Sequence, residues 1–131
     1  KMLQKLSLFL PSVILSIMLF FSFVIAPITF SSLDEINARK FIRKIFPYYY
    51  NINLVISLIL LITLFFLNSF KLDFFLVLIV SILFSLSNYL LMPLINKYRD
   101  NNNEKKFKLF HLFSVIINFL QIIILILILF L

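Results

Sequence analysis

All seventeen Asp, Glu, Lys and Arg residues of this chain lie outside four long uncharged runs: Leu6–Leu33, Ile45–Phe70, Phe74–Asn96 and Leu109–Leu131. A bilayer core about 30 Å thick is crossed by about 20 apolar residues in helical form, and each run is long enough. In lipid every backbone polar group must be satisfied within the segment, so a single apolar run of this length crosses as a helix. The pattern therefore predicts an all-α fold, an integral membrane four-helix bundle in one domain over residues 1–131. Spans are expected at about 6–30, 47–70, 74–97 and 105–131.

Composition supports lipid rather than water as the solvent. Of the 131 residues, 63% are hydrophobic and 13% are charged, whereas soluble domains are about half apolar and a quarter charged. A domain this small has too little interior to hide that much apolar surface. There is no Cys, which excludes disulfides, thiol catalysis and Cys-ligated metal or iron–sulfur centres. The net charge is +7, but the basic residues flank the runs, where they set orientation and meet anionic head groups; no nucleic-acid partner is expected. Lys1 and Lys5 precede the first run like a signal-peptide n-region. That run outlasts an h-region of about 7–15 residues and no A-x-A-like site closes it, so an uncleaved first span is expected.

Local signals divide the spans. Pro11 lies near the start of the first span, and Pro27 near its end is expected to kink or end it. Residues 32–46 carry Arg39, Lys40, Arg43 and Lys44 on one side and Ile36, Phe41, Ile45 and Phe46 on the other. This reads as an amphipathic basic segment lying in the head-group plane, with a solvated basic loop as the alternative. Asp34 and Glu35 suit a first helical turn. Pro47 opens the second span, and Tyr48, Tyr49 and Tyr50 occupy positions of an interfacial aromatic belt. Asn68–Asp73 is short enough to make spans two and three a hairpin, and Asp100-Asn101-Asn102-Asn103 is a turn cluster. The fourth span is expected to run to the last residue, with no soluble tail.

Counting Lys and Arg orients the bundle. The connections after spans one and three hold nine basic residues, Arg39, Lys40, Arg43, Lys44, Lys97, Arg99, Lys105, Lys106 and Lys108; the opposite face holds Lys1, Lys5 and Lys71. The positive-inside rule places loops 31–46 and 98–104 in the cytoplasm and both termini outside, with a bacterial cytoplasmic membrane as the expected location. The two halves also echo each other: Pro27 and Pro93 are 66 residues apart, as are Lys40-Phe41 and Lys106-Phe107. Two parallel helical-hairpin repeats and chance matches are both open readings.

Chemistry has little to work with. There is no Gly, so GxxxG packing and Gly-rich phosphate loops are absent, and Ser12-x-x-x-Ser16 and Ser81-x-x-x-Ser85 stand in as small-residue helix contacts. Span three carries Ser81, Ser85, Asn88 and Met92 on one face, span four His111, Ser114, Asn118 and Gln121, and span two Asn51, Asn53 and Ser57. The plain reading is interhelical glue; the functional one is a polar seam of Ser85, Asn88, Met92, His111, Ser114 and Asn118 between spans three and four. His111 is the only His and reads as structural: it has no intramembrane carboxylate for a proton relay and too few companions for a metal. No catalytic set assembles, so no catalytic, cofactor or metal site and no enzyme activity are expected. Arg39, Lys40, Arg43 and Lys44 are the candidate head-group contacts.

Several segments together resemble a known family. Phe20-Phe21-Ser22-Phe23-Val24-Ile25-Ala26-Pro27-Ile28-Thr29-Phe30 is followed by Ala38-Arg39-Lys40-Phe41 and Phe46-Pro47-Tyr48-Tyr49. Further on come Pro93-Leu94-Ile95-Asn96 and Phe110-His111-Leu112-Phe113-Ser114 with Asn118. In this order they resemble the transmembrane protein 205-like family, whose bacterial members are small four-helix membrane proteins of unknown function. The Gly residues that usually accompany the first motif are missing here. The resemblance implies a four-span fold and no reaction, substrate or cofactor.

Two functions follow as expectations. The first is a non-catalytic accessory or structural component that associates with other membrane proteins or with itself. The second is a small transporter or metal-tolerance factor using the neutral seam. Binding of anionic lipid by the basic segment is a third, generic possibility.

Overall fold

Four helices make up the computed structural model, which describes residues 1–131. They are α1 (Met2–Ser32), α2 (Glu35–Phe66), α3 (Leu72–Asp100) and α4 (Glu104–Phe130), each long and apolar enough to cross a membrane. Large apolar side chains such as Phe9, Phe23, Ile62, Phe75 and Leu127 cover the outside, as suits a surface in contact with lipid tails. The chain is an all-helical integral membrane protein. Consecutive helices are joined by tight turns, and α1 packs on α2 and α4 while α3 packs on the same two. This is the cyclic arrangement of an up-down bundle.

Two prolines shape α1 and α3 in the same way. A proline inside a helix lacks an N–H and its ring collides with the carbonyl four residues back. Both helices relieve the collision by widening one turn to π geometry just before the ring, at Phe21–Ile25 ahead of Pro27 and at Ser87–Leu91 ahead of Pro93. Neither proline ends its helix: α1 runs on to Ser32 and α3 to Asp100. The two π-turns are 66 residues apart, the same spacing as the sequence echo. π-bulges are rare and concentrate at functional positions.

The basic segment 32–46 does not form a separate interfacial helix. Asp34 caps α2, which then runs unbroken through Pro47 to Phe66, so the segment is simply the first three turns of α2. Asp34 accepts from the Asn37 side-chain amide at 2.6 Å and from its backbone N–H at 3.4 Å. The side-chain bond contributes most to holding the Asp34 carboxyl below its usual range. That contribution is therefore in place at neutral pH and is lost as the pH falls through the lowered pKa.

Without glycine, asparagine takes over at helix ends. Left-handed backbone is strained for most L-residues but tolerated by Asn. Asn68 and Asn102 adopt φ of 54° and 56°. Around Asn68, the Asn68 and Ser69 N–H groups donate to the Phe65 and Leu64 carbonyls, both at 3.0 Å. Around Asn102, the Asn102 and Asn103 N–H groups donate to Arg99 and Tyr98 at 3.2 and 2.9 Å. These are paired Schellman bonds, and the first ends α2 at Phe66, four residues short of the expected span. Asn103 then caps α4 by accepting from the Lys106 N–H at 3.2 Å. Asn102→Val is expected to cost about 1–2 kcal/mol, because a β-branched side chain is strained at positive φ. Asn102→Gly is expected to stay near wild type; denaturation of both variants in mixed micelles measures the difference.

Most of the fully buried residues lie in one half of the bundle. Ile14 and Met18 of α1, Leu60 and Leu64 of α2, Val77, Val80 and Phe84 of α3, and Ile122 and Leu125 of α4 form the buried core. Buried polar groups bond within it: the Ser81 hydroxyl donates to Ser57 Oγ and to the Val77 carbonyl, both at 3.0 Å, and Gln121 donates to the Val80 carbonyl at 3.1 Å. The other half, at the basic end, opens.

Candidate functional site

The opening is a half-enclosed cavity of about 470 Å³ between the last turns of α1 and the first turns of α2 and α4. Each helix contributes a stripe at helical spacing. Phe21, Ser22, Ala26 and Phe30 come from α1; Arg39, Arg43, Phe46 and Tyr50 from α2; Phe107, His111, Ser114 and Asn118 from α4; Ile95 and Arg99 of α3 close the end. The walls are aromatic and pre-stacked. Phe21 lies on Tyr49 with ring centroids 4.2 Å apart, and Phe46 lies on Tyr50 at 5.6 Å and 13°.

A hydrogen-bonded chain across three helices forms the inner end. Tyr49 Oη donates to Asn118 Oδ1 at 2.8 Å, and Asn118 Nδ2 donates to Ser22 Oγ at 2.9 Å. A matching bond lies in the other half, where Asn88 Nδ2 donates to Asn51 Oδ1 at 2.9 Å. Ser22 and Asn88 each sit second in a π-turn, and each bonds to the second helix of the other hairpin. The two hairpins therefore exchange polar contacts crosswise.

The mouth is cationic. Arg43 makes a two-pronged ion pair with Asp100, at 2.8 and 3.3 Å, tying α2 to α3. Arg39 pairs with Glu35 one turn earlier. Arg99 has no carboxylate partner; its guanidinium carbon sits 3.6 Å from the centre of the Phe107 ring, a cation–π geometry. The His111 ring stacks on the same Phe107 ring, with centroids 5.7 Å apart. No Asp or Glu lines the large cavity. Such a site suits an anion at the mouth with an apolar body within.

The expected seam between spans three and four is not one line of residues. His111, Ser114 and Asn118 line the cavity and face α1 and α2. Asn88 turns to α2 through Asn51, Met92 packs against the core, and Ser85 is half-buried away from the cavity. The physical reason is rotation: packing turns the polar stripe of α3 toward α2 and that of α4 toward α1. The basic segment also divides. Arg39 and Arg43, one turn apart, line the cavity, whereas Lys40 and Lys44 are exposed on the adjoining face. Tyr48 alone fits the aromatic belt, at 64% exposed; Tyr49 and Tyr50 are buried, since successive residues point about 100° apart on a helix. Sequence reasoning missed Arg99, Phe107, Phe21 and Phe46 as lining residues. The stripe Arg39, Arg43, Phe46, Tyr50 was the available signal.

Residues 9–104 match the model of a family described as a domain of unknown function, DUF4149. No curated protein and no solved structure matches the chain.

Proposed function

We propose that this chain, which belongs to the DUF4149 family, is a non-catalytic membrane protein that binds an amphipathic ligand with an acidic head group in the cavity at its basic end. The observation that carries the reading is the combination of about 470 Å³ of aromatic-walled space with three guanidinium groups, Arg39, Arg43 and Arg99, at its mouth. Ligand pockets of this size are mostly apolar with a few polar groups that fix orientation. The fully buried core residues beyond Asn118, Ile14, Met18, Leu60, Val77, Val80, Phe84 and Leu125, support holding a ligand over conducting one. An accessory role fits the same reading: a protein without reactive groups acts through what it holds and what it stands beside. The narrower likeness to transmembrane protein 205-like proteins belongs to this proposal and adds no activity to it. The positive-inside rule places the basic end, and with it the mouth, on the cytoplasmic side.

The test is binding of a dansyl-labelled fatty acid to the full chain in nonionic detergent. Saturable binding, displaced by unlabelled long-chain acid, is expected. Ala26→Trp or Val115→Trp fills the cavity from α1 or from α4 and is expected to weaken binding about tenfold, the loss of about two buried methylenes. Helical content and unfolding midpoint establish that the variants are folded. Unsaturable partitioning that is identical in folded wild type and folded variants would sink the reading.

A further inference from the structure

A second, smaller pocket of about 170 Å³ adjoins the mouth, lined by Arg39, Tyr98, Arg99, Asn102, Glu104 and Phe107. Arg39, Arg99 and Phe107 line both spaces. The small pocket is polar and the large one apolar, so together they have the shape of a head-group seat opening into a chain site. We infer that the small pocket seats the phosphate of a membrane lipid, one of whose acyl chains lies in the aromatic cavity. This rests on the reading of the large cavity as an amphiphile site and names the ligand class.

Three observations carry the inference. The first is depth. The α2 wall runs from Arg39 to Tyr50, about 16 Å at about 1.5 Å per residue, and half of a bilayer core about 30 Å thick is about 15 Å. The cavity therefore reaches as deep as one leaflet's chains, from a rim at head-group level. The second is donor geometry. Donors converge from separate elements: Arg39 from α2, Tyr98 and Arg99 from α3, and Asn102 from the turn that follows. A phosphate presents several strong acceptor oxygens in a tetrahedral arrangement and takes donors from several sides, which a planar carboxylate does not. Arg99 is held in place for it, because its guanidinium carbon sits over the Phe107 ring at 3.6 Å from the centroid and neither ion pair of the structure engages it. Lys106 and Lys97 lie 5.3 and 5.9 Å from the Tyr98 ring and add positive charge around the seat.

The third observation is the arrangement of the surrounding charges. Arg43 is held in both prongs by Asp100 and Arg39 in part by Glu35, which leaves Arg99 as the guanidinium without a carboxylate. Glu104 is the one carboxylate lining the small pocket; it is an acceptor for a glycerol hydroxyl beside the phosphate. A soluble phosphate has no use for the apolar cavity, so the source is the lipid.

Titration calorimetry of the full chain in nonionic detergent separates the possibilities. The probes are a long-chain lysophosphatidic acid, the monoacylglycerol of the same chain, and glycerol phosphate. Lysophosphatidic acid is expected to bind tightest and glycerol phosphate weakest. Arg99→Gln is expected to weaken lysophosphatidic acid about tenfold, the effect of losing one charge-assisted interaction, and to weaken monoacylglycerol, which has no phosphate to lose, by much less. Arg99→Lys is expected to recover only part, since an ammonium neither forks nor lies flat on Phe107. If Arg99→Gln leaves both lipids unchanged, or weakens both alike, the phosphate seat is overturned. The cavity reading survives that result if Ala26→Trp still weakens binding about tenfold, and falls with it if Ala26→Trp binds like wild type. Glycerol phosphate binding as tightly as the lipid overturns the lipid source.

Discussion

Replacing Phe84 by alanine is expected to destabilise the bundle by about 3–5 kcal/mol, the usual cost of emptying a fully buried aromatic site. Phe84 is 0% exposed and is the largest fully buried side chain. It lies on α3 in the packed half, in one cluster with Val77, Val80, Ile14, Met18 and Leu125. Lipid tails are as apolar as these neighbours, so burial from water contributes little between helices, and close packing is what holds them. A cavity at Phe84 forfeits that packing and lipid cannot fill it. Phe75 is the control. It is 52% exposed on the outside of the same helix, where lipid replaces the ring, and Phe75→Ala is expected to cost less than about 1 kcal/mol. Unfolding of both variants in mixed micelles measures the contrast. Equal losses would mean that the core of this bundle is not the one described.

Asn118→Leu is expected to cost about 2–3 kcal/mol. Two interhelical bonds disappear, Tyr49 to Asn118 at 2.8 Å and Asn118 to Ser22 at 2.9 Å. Interhelical bonds in membranes average about 0.6 kcal/mol each. The larger part comes from Tyr49, which is only 5% exposed: its hydroxyl loses the Asn118 acceptor, at about 1–2 kcal/mol. The double variant Tyr49→Phe/Asn118→Leu removes that orphaned hydroxyl and is expected to recover the larger part. A cycle with no coupling between the two positions would show that the chain of bonds is not formed in the folded protein.

Much of the architecture was legible because lipid imposes it one helix at a time. The exclusion of charge from four runs gave the spans, and the short polar stretches gave the turns. The 66-residue echo pointed to positions that carry matching π-turns. Boundaries moved where backbone chemistry overrode hydropathy. Asn68 at positive φ stops α2 at Phe66 although the uncharged run continues to Phe70. Pro47, a plausible first residue, is instead carried inside α2, because the basic turns before it are themselves good helix and are capped by Asp34.

The site was legible only by stripe. Spacing put His111, Ser114 and Asn118 on one face and Arg39 with Arg43 on another, and both stripes do line the cavity. Spacing did not show that these stripes face each other. Nor did it separate Arg99, one basic residue among nine near the mouth, from the lysines beside it. That distinction depends on Phe107 lying under its guanidinium and on Glu35 and Asp100 being taken by Arg39 and Arg43, while Glu104, across the small pocket, forms no ion pair with it.

By itself the sequence determined the solvent, the number of helices, most of their ends to within a few residues (the start of α2 at Glu35, twelve residues before the expected one, is the exception), and the end at which positive charge gathers. Each of these follows from local free energies: the cost of charge in hydrocarbon, the hydrogen-bond needs of a lone helix, and the backbone limits of Pro and Asn. Only the tertiary structure decided how far each helix is rotated about its axis. That rotation comes from fitting Phe84, Met18 and Leu125 together in one half. It turns Asn88 toward Asn51 and Asn118 toward Ser22 and Tyr49, and it leaves the basic half open between its aromatic walls.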